Sequence, residues 1–148
     1  MTIITYEIAH NAVVDYLTGR WGFTKIHTGD DPAVEPNPPE AFARVSLTSL
    51  RSGDWMEMGR TAGAAGRSVE YRATIRVVVF TPTGGGDASA ISYASQIEQI
   101  FSLAQIPAAD SRLECGLAEI SPPAPADEAQ RWRSTIVTVP VRYFSRAG

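Results

Sequence analysis

The stretch of this chain best suited to chemistry is Phe80-Thr-Pro-Thr-Gly-Gly-Gly-Asp87. A glycine-rich turn between a strand and a helix gathers free N–H groups, and such turns hold phosphate. The spacing matches neither G-x-G-x-x-G nor a Walker motif, and no lysine follows it. Asp87 also puts a carboxylate where a phosphate would sit, so the plain reading is a turn followed by a helix N-cap. Metal chemistry has little to work with. His10 and His27 lie far apart and outside any ligand spacing, and Cys115 is the single cysteine. His10 falls on an apolar helical stripe, and Cys115 falls on the inward side of an expected strand, where a thiol serves as a small apolar group. Asp30-Asp31 lies in a proline-rich loop and lacks the burial that acid–base catalysis needs. Arg131-Trp132-Arg133 has the composition to stack on a base or grip an anion, but a solvated strand start is the better reading. No catalytic, cofactor-binding or metal-binding residues are assigned, and no enzymatic activity is expected.

More informative are apolar residues in segments that offer nothing to bury them. Trp55, Met56 and Met58 sit in residues 51–68 among Gly53, Gly59, Gly63 and Gly66, surrounded by Arg51, Arg60 and Arg67. Trp, Met and Arg are the residue types enriched at the cores of protein interfaces. Burying one such side chain is worth ~1.5–3 kcal/mol, whereas ordering each backbone residue costs ~1–2 kcal/mol. Two or three anchors cannot hold this loop on the subunit alone, so it is expected to order against a neighbour.

The remaining segments position these features. Residues 3–21 read as a helix with Ile3, Tyr6, His10, Val13, Val14, Leu17 and Trp21 on one stripe. Ile4, Ile8 and Ala12 form a second strip, either a second buried side or a subunit contact. Four prolines make residues 28–40 a loop. Residues 23–27 suit a short strand. Ala41–Leu50 and Val69–Thr81 alternate as strands and pair as a hairpin whose tip is 51–68. On the second, Arg72 and Arg76 alternate with Ala73, Ile75 and Val77. Val78 and Phe80 then break the alternation, so the first half is solvated on one side and the second half covered on both. A helix from Asp87 to about Gln105 buries Ala90, Ala94, Ile97, Phe101 and Ala104. Ser111–Ile120 and Gln130–Arg146 complete the strands, with a turn at 121–129. Pro140 lies inside the last one and indicates an edge strand or a bulge.

The expected fold is α+β over a single domain, 1–148. It is a mainly antiparallel sheet of four or five strands with two helices on one face, in the order α-β-β-α-β-β. At 148 residues the chain can bury an ordinary core. A net charge of −3 argues against wholesale nucleic-acid binding, and no apolar run approaches a membrane span.

Across nearly the whole length, the layout resembles the tail terminator proteins of long-tailed bacteriophages. It is carried by "AFARVSLTSL", the glycine-rich excursion, "VEYRATIRVVVFTPTGGGDASAISYASQIEQIF" and the closing "STIVTVPVRYF". The resemblance implies a non-enzymatic virion protein that forms a homo-hexameric ring. The ring ends tail-tube polymerisation and joins the tail to the head-completion proteins, with genomic DNA passing through it without sequence-specific recognition. Its partners would be further copies of itself, the major tail tube protein and a neck protein. Its location would be the head-proximal end of the tail, and the host cytoplasm during assembly. Candidate interface residues are Ile4, Ile8, Arg51, Trp55, Met56, Met58, Arg60, Arg67 and Pro140. A head–tail joining protein is the nearest alternative. A small ligand-binding domain using the Gly84–Asp87 turn is a more distant one.

Overall fold

The computed structural model describes residues 4–28, 40–51, 56–57, 67–84, 86–109, 111–126 and 131–147. Helix α1 spans Tyr6–Arg20, followed by strands β1 (Lys25–Thr28), β2 (Phe42–Arg51), β3 (Met56–Glu57) and β4 (Arg67–Pro82). Helix α2 (Ala88–Phe101) precedes β5 (Gln105–Ala108), β6 (Ser111–Cys115), β7 (Glu119–Pro125) and β8 (Trp132–Ala147).

All eight strands join one curled, mixed sheet, seven of them four residues or longer. The main path runs β1-β2-β4-β8-β6-β5. This corrects the expected four- or five-stranded, mainly antiparallel sheet in α-β-β-α-β-β order: the chain is mostly β. Three extra strands and one parallel pair account for the difference. β1 lies parallel to β2, with Lys25 opposite Phe42 and Thr28 opposite Val45. β5 begins at Gln105, where the helix was expected to end, and β7 runs from the last residues of the expected 111–120 strand into the proline-rich stretch assigned to a turn.

The sheet is organised around β4 and β8, which pair antiparallel from Arg67↔Ala147 to Pro82↔Trp132. β2 pairs with the other edge of β4 up to Arg51↔Tyr71, and β3 then takes that edge at Arg67 and Ser68. β8 likewise changes neighbours. β7 pairs with it up to Glu119↔Thr138, and β6 begins at Cys115↔Val141. Pro140 lies between the two. Its carbonyl accepts from the N–H of Gly116 at 2.8 Å, so its ring nitrogen points to that same side, where neither strand requires a donor. Pro140 is therefore in a central strand, not the expected edge strand, and the missing N–H falls in a gap of the ladder.

Alternation divides the central strands by parity. Ala43, Val45 and Leu47 of β2, Ile75, Val77 and Val79 of β4, and Val137, Val139, Val141 and Tyr143 of β8 are buried in one cluster. Ala9, Val13 and Leu17 of α1 and Ala94, Ile97 and Phe101 of α2 complete it. Helix α1 is thus rotated from the expected phase. Tyr6 is 51% exposed, while Ala9 is fully buried. The Thr5 hydroxyl caps the helix, accepting from the Ile8 N–H at 3.2 Å. α2 begins at Asp87 as expected, but the carboxylate caps nothing and turns to Arg133 instead.

Candidate interaction surface

The even-numbered residues of the described parts of β2 (42–48), β4 (70–82) and β8 (132–144) form the outer face of the sheet, which divides into two halves. One half is aromatic. Phe42 stacks on Phe80 at 4.8 Å between ring centroids and meets Trp132 edge-on at 5.3 Å and His27 at 5.5 Å. Trp132 and Val78 are buried there. This is the covered second half of β4 that the break in alternation indicates. Trp132 is thus a packing residue, neither a stacking platform for a base nor part of the expected solvated strand start. Its neighbour Arg133 grips the Asp87 carboxylate through two contacts, at 2.7 and 3.3 Å.

The other half is charged. The register sets Arg72 directly opposite Arg142. Like charges in that arrangement repel, and each arginine has an acidic neighbour. Arg142 Nε lies 2.8 Å from Glu114 Oε2, and Arg72 Nε lies 3.8 Å from Glu70 Oε1. Arg76, two positions beyond Thr74 on the same face of β4, is exposed and makes no ion pair among the described residues. Glu70, Arg72, Thr74, Glu114, Pro140 and Arg142 line an open groove of about 570 Å³. Arg72, Arg142 and Pro140 are exposed. Gly116 also lines this groove, and a Cβ there would come within 3.0 Å of Pro140 Cγ.

The groups considered for chemistry are occupied otherwise. Burial pushes the Cys115 thiol up to about 12, so at neutral pH it is protonated and a poor nucleophile. Gly84 and Gly86 adopt positive φ at the turn before α2, and the Asp87 carboxylate there is already paired with Arg133. Among the described residues, no group of three or more His, Cys, Asp or Glu could hold a metal ion. None of the described helices is long and apolar enough to cross a membrane.

The interface candidates that the structure describes fall in different environments. Ile4 is only 1% exposed and belongs to the core, which corrects its reading as a subunit contact. Ile8 is half-buried and packs against the same core. Pro140 lies on the exposed groove. Arg51, Met56 and Arg67 contribute backbone to β2, β3 and β4, and β3 supplies a strand where the 51–68 loop was expected to lack regular structure. Trp55, Met58 and Arg60 lie outside the described residues, as does Asp30-Asp31. The arginines of the outer face were visible in the sequence only as the polar half of an alternation. Their alignment across β4 and β8 depends on a register the sequence does not display.

No protein-family model matches this chain, and no curated protein does. The fold itself is shared. A solved structure 14% identical to this chain superposes with a TM-score of 0.66, covering 98% of this chain and 97% of the other. At that identity the likeness concerns the fold alone.

Proposed function

We propose that this protein is a structural assembly subunit of the tail terminator type, forming a ring that caps a phage tail tube and presents a surface to the head-completion proteins. The observation that supports this reading best is the charged half of the outer sheet face. Arg72, Arg76, Pro140 and Arg142 are exposed on the same strands whose other side forms the core. An extended sheet face with paired charges and an open groove suits a broad protein contact better than a small reactant. The sequence resemblance supplies the kind of assembly. The glycine-rich segment with Trp55, Met56 and Met58 is a second contact in the same proposal.

The test is to add the purified protein to tail tubes polymerising in vitro from the tube subunit, and to examine them by electron microscopy. A terminator yields tubes of limited length with a ring at one end. Tubes that grow to the same lengths with and without the protein, and bare of any ring, would overturn the proposal. A neck protein would bind completed, terminated tails and leave tube length unchanged.

A further inference from the structure

The outer sheet face has a counterpart elsewhere on the same chain. Glu7, Asn11 and Asp15 of α1 are all exposed and spaced i, i+4, i+8. They lie on the side of the helix opposite Val13, which faces the core. The acidic side of α1 therefore points away from the sheet, and the arginine face points away from the helices. One copy carries both surfaces on opposite sides.

Their dimensions agree. Eight residues of α-helix advance about 12 Å, the separation of Glu7 and Asp15 along α1. Four residues of strand advance about 13 Å, the separation of Arg72 and Arg76 along β4. With Arg142 beside Arg72 in the register, Glu7 meets the arginine pair while Asp15 meets Arg76. We infer that neighbouring copies join head to tail, with the Glu7–Asp15 side of α1 of one copy laid along the Arg72, Arg76 and Arg142 face of the next. Such a contact uses different patches on the two partners. It generates a closed ring when the rotation per step closes. The proposal rests on the ring reading above and assigns its surfaces. Glu70 and Glu114, set among the arginines, oppose a continuous polyanion such as nucleic acid. Two discrete carboxylates about 12 Å apart can each be set against an arginine instead.

A charge-swap experiment on the full chain tests this. Asp15→Arg and Arg76→Glu are made separately and together, with circular dichroism confirming that each folds. Self-association is measured by sedimentation velocity at low and at physiological salt. Like charges face each other in either single variant, so each should associate roughly tenfold or more weakly than wild type. An equimolar mixture of the two, and the double variant, should recover association, because a helix of reversed charge then meets a sheet face of reversed charge. Wild-type association should also weaken as salt rises. Single variants that assemble like wild type would overturn this contact while leaving the ring intact. Wild type that forms no oligomer at any concentration, either free or on tail tubes, would overturn both. Wild type that stays monomeric but binds duplex DNA through Arg76 would assign the face to a polyanion and also refute the inference.

Discussion

Ile75 and Arg76 are neighbours on β4, yet they belong to different environments. Ile75 is fully buried beneath the helices, and Arg76 is exposed on the far side of the sheet. The same contrast extends along β2 and β8. One face of the sheet is settled entirely within the chain: its apolar residues interlock with Leu17, Ile97 and Phe101. The other face has matched aromatic rings at one end and charges held at arm's length at the other. A sheet can be fully determined on one side and remain available on the other, because alternation lets each side answer to different partners.

The largest expected effect sharpens this contrast directly. Ile75→Ala should lower unfolding stability by ~2–5 kcal/mol, whereas Arg76→Ala should stay within about 0.5 kcal/mol. Urea denaturation of the monomer measures both. Equal losses would show that the outer face belongs to the subunit's own core. An intermediate effect is expected at the groove. Gly116→Ala brings a methyl to 3.0 Å from Pro140 Cγ and should cost about 1 kcal/mol, since overpacking outweighs the entropy gained on leaving glycine. Pro140→Ala should reduce that cost in a double-mutant cycle, and an additive cycle would refute the contact.

A smaller effect is expected at the junction before α2. Asp87→Ala removes a partly exposed pair with Arg133 and should cost about 0.5–1 kcal/mol, less at high salt. Thermal melts at two ionic strengths distinguish this from a lost N-cap, which salt would barely alter. The last effect is silent at neutral pH. The Cys115 thiol ionises near 9 when unfolded and at about 12 when folded. The folded state therefore holds a proton that the unfolded state releases, and stability falls as pH rises between those values. The wild type should lose more stability than Cys115→Ala across that range. Identical pH profiles for the two proteins would show that the thiol is not shielded.

The long strands were legible because their alternation is strong: β2, β4 and β8 bury alternate residues over most of their described length, with Val78 and Trp132 the exceptions. The sheet as a whole was not, for reasons that trace to particular residues. Pro122, Pro123 and Pro125 read as a turn, yet among the described strands β7 pairs with β8 alone, and a strand bonded on one side tolerates missing donors. Pro107 lies just past the expected helix end, yet β5 runs through it, and among the described strands β5 is bonded to β6 alone. The parallel pairing of β1 and β2 depends on a crossover that no local pattern encodes. In α1 the apolar residues are spread around most of the helix, so the period is visible but the phase is not. Packing chose Ala9, Val13 and Leu17 over Tyr6 and His10. The surface arginines could be read as exposed, but which of them stand side by side is decided by the pairing of β4 with β8.

That pairing also has a consequence in time. β4 sits at the centre of the sheet, but β8, which covers one of its edges, arrives only after α2 and three further strands have been made. A contact between such distant segments forms slowly, because a long stretch of chain must first be closed into a loop. Until then β4 exposes an unpaired edge, and unpaired edges recruit other nascent chains. Arg72 and Arg76 stand on that strand throughout the interval. Their charges, repelled by the same charges on another copy of β4, should hold newly made chains apart until β8 closes the sheet.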